Sequence, residues 1–563
     1  MMLIAFLLSL LLLCASPDKR NVTGNNLVDN ILFLCGAGDI SQADSQMVEH
    51  LMDLSENPLK INCMSRSALI SSGLFSSYQA ESILDWRSRN GDILSGSELG
   101  IVDAFTPLTA SALVPFLSFE PSGGKDAVSF SGEALSTFAA KVADGSSSFR
   151  WQDRLKGSAA TSKGIFSASA SVRSPWKSRP AAPDEYPWYV SFEGNKWLSR
   201  VIAGNFNARL AQGIALWSGV TISDGSTPES LMRKPSGIYP YGGFGSGTSM
   251  FGAAVRADFG HFDAIAFADH VGRQFGGAIG WNHHHGSVGI NAVFPDTAVS
   301  ADVQQTINGS VLFGELCLRP HRGPGTLTAL VGYRFPISNA DCAARISYTD
   351  DKIEACGAVQ CLFNDRKHNV FCSGSYDFFV KAESSRPPRA MQTRCRATWT
   401  YTPVPAWSLC LRAGARLRNW EKNRFELRQE VEYSHSRWNF SLRGDVVRCN
   451  AHAFLLCLES SYDGVWAKVN LQCGVFAIDK WDDRIYVYRH DAPQTFNIPA
   501  YYGRGCWIAA YCRIMTGKFV RLYFTMDCTS YPWARQGDTH ARPSAGAKLQ
   551  CVVRLQTAGC CSR

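Results

Sequence analysis

Past Cys14 the sequence has no continuous apolar run of eighteen or more residues, so no later segment reads as a membrane-spanning helix. Charge is scarce: Asp, Glu, Lys and Arg make up 18% of 563 residues, against about 25% in typical soluble chains. No CxxC pair has a matching His or Cys pair elsewhere, which leaves a zinc site unsupported. No Ser/His/Asp set or carboxylate pair stands out, so the chain reads as a non-enzyme with no metal and no cofactor. The formal charge of +8 is mild over this length and calls for no particular anionic partner.

Aromatics, by contrast, are plentiful at 12%, and the 48 glycines are scattered rather than bunched, which suits a large sheet. The start, "MMLIAFLLSLLLLCASPDKR", is apolar to Cys14 and polar from Pro17, the pattern of a secretory signal over 1–16. Leu13 stands where a lipoprotein signal wants a small residue, so Cys14 is not read as a lipidation site. Of the 19 cysteines, 16 lie at or after Cys317. Cys317, Cys528 and Cys551 fall on the apolar phase of alternating segments, where a free thiol acts as a small hydrophobe.

From about 120 onward the pattern has period two. "RWNFSLR" sets Trp438, Phe440 and Leu442 against Arg437, Asn439, Ser441 and Arg443. "RLYFTMDC", "KLQCVVRLQ" and "TLTALVGY" alternate in the same way. Successive strand side chains point to opposite faces, so each segment has one wet and one apolar side. A soluble sandwich shares that alternation but uses shorter strands. Here some 440 residues run without a helical block, and many segments reach the 9–11 residues of a tilted membrane strand. A barrel of roughly eighteen to twenty-two strands is expected, with Trp176 and Trp188 suited to interfacial girdles.

Two local signals dissolve on inspection. "GGFGSGTSMFGAAV" at 242–255 leads into another alternating strand instead of a helix, so it reads as a loop and not a dinucleotide fingerprint. His283, His284 and His285 are adjacent, and neighbours on a strand face opposite ways, so a turn is expected there instead of a metal site.

Ahead of the strands, 21–57 reads as a helical lead-in, with a weak helical pattern at Val48, Leu51, Met52 and Leu54. Residues 58–119 hold four amphipathic pieces, and Ser76 or Ser77 can cap the piece from Gln79 to Arg87. "INCM" at 61–64 and "SGLF" at 72–75 resemble the opening motifs of the tandem helix-hairpin-helix domain of competence-type DNA-uptake proteins. That resemblance implies a phosphate grip carried here by Arg66, Gly73, Leu74, Arg87 and Arg89. Phe75, however, stands where the second glycine belongs, and "VDAFTP" at 102–107 has none. Between Leu59 and Phe119 four cations (Lys60, Arg66, Arg87, Arg89) meet five anions (Glu81, Asp85, Asp92, Glu98, Asp103), so the net charge is 4 − 5 = −1. Non-specific DNA affinity comes mainly from neutralised phosphates, and this module has no surplus to offer.

The whole chain resembles a Bacteroidetes-type family of exported proteins that join this hairpin domain to an outer-membrane β-barrel. Three blocks carry the resemblance: "ENPLKIN" into the hairpins; "VIAGNFNARLAQGIALWSGV" with "MRKPSGIYPY" and "MFGAAVRADFGHFDAIAF"; and "DDRIYVYRHDAPQTFNIPAYYGRG". It implies a bacterial outer-membrane location with the hairpin domain periplasmic. The expected fold is mostly β, a large antiparallel transmembrane barrel over 120–556, with a small all-α helix-hairpin-helix domain at 58–119 and an overhang at 557–563. Within the second and third blocks, Arg209, Gln212, Trp217, Arg233, Lys234, Tyr486, Tyr501, Tyr502 and Arg504 are candidates for a lumen ligand site, with barrel architecture the plainer reading. The partners expected are outer-membrane lipid and an envelope protein. The leading function is a module that docks a partner or plugs the barrel. DNA uptake is the first alternative, and a channel for small polar or anionic solutes the second.

Overall fold

The computed structural model describes residues 26–35, 45–56 and 58–556, apart from positions 122–127, 144, 162, 195–196, 219–226, 245–248, 284, 296, 321–325, 365–366, 384–385, 494, 496, 518 and 535–541. The expected signal at 1–16 and overhang at 557–563 lie outside them.

Twenty-four antiparallel strands close into one barrel. The last, Ser544–Gln556, pairs with the first, Ser129–Ala143, setting Leu549 opposite Phe138. Glu133 on the first strand binds Arg154 of the second at 2.6 Å and Arg554 of the last at 2.8 Å, an inward ion triad across that seam. A short extra strand, Gly237–Pro240, pairs with the end of Leu198–Arg209.

The faces are inverted relative to a soluble sheet. Trp438, Phe440 and Leu442 are exposed while Asn439 and Ser441 between them are buried. Leu549 is 53% exposed, and its neighbour Gln550 is fully buried. Apolar residues on the outside and polar ones within fit lipid around and water or polypeptide inside. That settles barrel against sandwich.

The strand number exceeds the roughly eighteen to twenty-two expected. Some strands alternate with low contrast: Ser129–Ala143 places Gly132, Ala134 and Ser136 on its outward phase, and Gln274–His283 places Gly276, Ala278 and Gly280 inward. Cys317 also departs from expectation. Leu312, Leu316 and Leu318 take the outward phase of its strand, so Cys317 faces inward, fully buried in an apolar cluster that also holds Ala215 and Ala298. His283 pairs with Gly286 where a hairpin closes, the turn foreseen for the histidine run.

The two ends of the barrel differ. At the end holding Ser129 and Gln556, every connection between strands spans two to four residues. The opposite end carries the long connections 174–187, 210–249, 479–502 and 531–543.

Six α-helices precede the sheet among the described residues: α1 (Asn26–Cys35), α2 (Ser45–Glu56), α3 (Arg66–Ser71), α4 (Ser77–Asn90), α5 (Gly96–Leu99) and α6 (Pro107–Leu113). Ser65, Ser76, Ser95 and Thr106 cap α3 to α6, each accepting a backbone N–H of the first turn, and Ser76 forms a full capping box with Gln79. The buried Asn62 of "INCM" acts as a clasp. Its amide donates to the Ile93 and Glu120 carbonyls at 2.9 and 3.0 Å and accepts from the Ile93 N–H at 2.9 Å. Phe75, in place of glycine, fills the module's core edge-to-face with Phe105, their centroids 6.1 Å apart.

Candidate functional site at the junction of helices and barrel

The connection 210–249 starts at the long-loop end and folds back into the lumen. Glu315, the lone acid in "VLFGELCL", faces inward and accepts the backbone N–H groups of Ile214 and Ala215 at 2.9 and 3.0 Å. Arg319 donates to the Ile214 carbonyl. Arg345 reaches the Leu231 carbonyl at 3.3 Å, while Leu231 and Met232 pack on Phe313, Leu330, Ala343, Cys356 and Ala358 of the wall. Inward apolar side chains thus lie where the loop sits.

Several of the residues singled out in the sequence meet inside this loop. Gln212 accepts the Arg233 N–H at 3.0 Å, and the Arg233 guanidinium donates to the Gln212 carbonyl at 3.1 Å. Trp217 is flanked by Arg209 and Arg233, 5.2 and 5.1 Å from its ring centre. Gly213 takes φ +79°, and a Cβ there would meet Arg233 and Trp217 at 2.4 and 2.7 Å, so only glycine fits this crossing. Burial, with the Arg345 charge nearby, pushes Arg233 down to about 10.

Glu229 and Lys234 carry the contact with the helices. The Glu229 carboxylate is buried. It accepts from Lys234 Nζ at 2.6 Å, from Thr109 Oγ1 at 2.8 Å and from the Gln79 amide at 3.4 Å. Gln79 lies in the first turn of α4 and Thr109 in that of α6, so one barrel carboxylate joins the starts of two helices. Lys234 Nζ also donates to the Leu74 carbonyl at 3.0 Å. Burial alone would raise the Glu229 carboxyl, but the Lys234 and Arg334 charges and the bonds from Lys234 and Thr109 hold it down to about 2.

The module's own cations are engaged elsewhere. Arg66 pairs with Glu81, Arg87 donates to the Met64 carbonyl at 2.8 Å, and the exposed Arg89 pairs with Asp85 at 2.8 Å. Gly73 adopts φ +74° in the turn beside the buried Leu74.

The connection 479–502 is the second inward loop. Arg489 donates to Tyr501 Oη at 2.9 Å and pairs with Asp527 at 2.7 Å; Asp491 pairs with Lys548 at 2.6 Å. Asp483 accepts three successive backbone N–H groups, from Cys449, Asn450 and Ala451. The Tyr486 carbonyl accepts from Arg443 at 2.9 Å, and Tyr502 meets Trp481 edge-on at 4.8 Å. Arg504 stands apart on the wall, paired with Asp479 at 2.8 Å. Sequence reasoning missed Glu229, Glu315, Asp483 and Arg489. Only Glu315 had a signal, a single charge on the wet phase of an otherwise apolar strand.

No family model matches the sequence, and no curated protein matches it. Solved structures share the barrel. The translocation pore of the P pilus usher PapC is 8% identical, with a TM-score of 0.39 over 76% of this chain and 100% of that one. The siderophore receptor PirA from Pseudomonas aeruginosa is 7% identical, with a TM-score of 0.42 over 78% and 82%. OpdO from Pseudomonas aeruginosa is 6% identical, with a TM-score of 0.31 over 76% and 97%. At such identities the chain is similar to them as a large β-barrel and in nothing finer.

Proposed function

We propose that this chain is a non-enzymatic outer-membrane β-barrel whose N-terminal helices form a helix-hairpin-helix module that stops the periplasmic mouth. The orientation rests on the short connections at the end holding Ser129 and Gln556, since outer-membrane barrels keep short turns on the periplasmic side. The helices join the barrel at that end. A barrel of this width needs something in its lumen if it is not to leak. The observation that carries the reading is Glu229. A buried carboxylate on an inward loop is satisfied by side chains of α4 and α6, so loop and module act as a two-part stopper. The DNA reading is weaker, because the Leu74 carbonyl is held by Lys234 and Arg66, Arg87 and Arg89 have partners within the module.

Glu229→Ala in the full-length protein tests this. Removing one partner of a buried pair leaves Lys234 uncompensated and costs about 3–5 kcal/mol. The module should become open to protease, and conductance in planar bilayers should rise several-fold. Unchanged cleavage together with unchanged conductance would rule the stopper out.

A further inference from the structure

Between the two inward loops one stretch of wall is thinly covered: among the described residues none from 393 to 438 is buried, and the second loop touches its edge where Arg424 donates to the Asp482 and Arg484 carbonyls. Its outward phase is apolar, with Trp399, Leu411, Leu417 and Leu427 exposed. Its inward phase is rich in arginine. Across the strands Ala390–Val404, Trp407–Arg418 and Arg424–His435, Arg394 stands directly opposite Arg416, and Arg416 directly opposite Arg424. Four residues along, Arg412 faces Arg428.

Side chains directly opposite in a sheet have Cβ atoms about 4.5–5.5 Å apart, and like charges so placed repel. Guanidinium groups cannot shed a proton to relieve this. The outer two are engaged: Arg394 by Asp377 at 3.2 Å, and Arg424 by Glu426 at 2.7 Å and, through its terminal nitrogens, by the Asp482 and Arg484 carbonyls of the second loop. Arg416, in the middle, has no carboxylate in ion-pair contact among the described residues, and its Nε makes no hydrogen bond. Water reaches the row chiefly at Arg394, whose side chain is 34% exposed, against 12% for Arg424.

We propose that the row Arg394, Arg416, Arg424 is a binding site for a small solute carrying phosphate, with Arg412 and Arg428 continuing it along the wall. Arg416, with Arg394 beside it at strand spacing, presents paired guanidinium N–H donors to a tetrahedral oxyanion, the geometry in which arginine outperforms lysine, and Arg424 adds its charge from the far side. A multivalent anion supplies the missing charge at Arg416 without displacing any existing ion pair.

The test is calorimetric titration of inorganic pyrophosphate into the detergent-solubilised full-length protein at low salt. Wild type should bind. Arg416→Gln should weaken binding roughly ten-fold or more, the loss expected for a hydrogen bond to a charged group. Arg416→Lys keeps the charge and should fold as wild type, yet lose several-fold because the fork is gone. Arg89→Gln, on the helical module, should change nothing. A phosphorylated lipid in the micelle should not compete, because the row faces the lumen. Absence of wild-type binding, equal affinity in both Arg416 variants and wild type, loss in Arg89→Gln, or competition by the lipid would each overturn the proposal. Binding is read directly, so the result is independent of whether the module stops conduction.

Discussion

Two stretches of the same wall make an instructive pair. From Ser310 to Cys361 the strands point Phe313, Leu330, Ala343 and Cys356 inward, all buried beneath the loop that carries Leu231 and Met232. From Ala390 to His435 they point Thr398, Arg412, Arg416 and Glu430 inward, and only Ala390 and Gln392, at the start, are buried among the described residues. Their outward faces are alike: Leu316, Val331 and Ile346 in one, Trp399, Leu411 and Leu427 in the other. The outward phase therefore reports lipid everywhere. The inward phase reports what lies against each strand, apolar beneath polypeptide and charged beside water.

The largest effect expected from this difference comes from truncating one inward residue on each stretch. Phe313→Ala should destabilise by about 3–5 kcal/mol, the usual loss for a buried phenylalanine. Thr398→Ala, on the thinly covered stretch, should stay within about 0.5 kcal/mol. Denaturant unfolding in micelles measures both. Equal losses would mean that stretch is packed over after all.

The barrel was legible because lipid imposes one rule on every outward position, and "RWNFSLR" or "KLQCVVRLQ" obeys it plainly. Low-contrast strands such as Gln274–His283 were not, since glycine and alanine serve either face. The loop site was only half legible. Arg209, Gln212, Trp217 and Arg233 stood out and do meet, but as the internal bracing of a folded-back loop, while Lys234 turns to Glu229 and the Leu74 carbonyl of the helices. Glu229 had no local mark, because its partners Gln79 and Thr109 lie 150 and 120 residues away. Alternation says which way a side chain points and is silent on what a 40-residue connection will bring to it.

The covered side should also be the one that responds to acid. The Glu229 carboxyl is lowered from 4.5 to about 2 in the folded protein. A depressed carboxyl stabilises above its unfolded value and loses that contribution as pH falls through the folded one. The shift corresponds to roughly 3 kcal/mol. Protease release of the helices should stay flat from neutral pH to about 5 and climb between about 4 and 2. Glu229→Gln, neutral throughout, should remove that climb. An unchanged acid profile in the variant would move the sensitivity elsewhere.

The smallest effect sharpens a comparison within the helices. Gly73, ahead of α4, and Ala104, ahead of α6, take φ +74° and +70°, the same left-handed backbone reached by two different residues. A side chain in that region costs roughly 1–2 kcal/mol, while glycine adopts it freely but loses more entropy on ordering. A Cβ built on Gly73 meets nothing within 4 Å, so Gly73→Ala probes backbone conformation without any clash. The two substitutions should therefore mirror each other: Gly73→Ala destabilising and Ala104→Gly stabilising, each by about 0.5–1 kcal/mol. Amide hydrogen exchange along α4 in the full-length protein reads both. If Ala104→Gly instead weakens protection, the Ala104 methyl contributes packing that outweighs its strain, and the two turns are not equivalent.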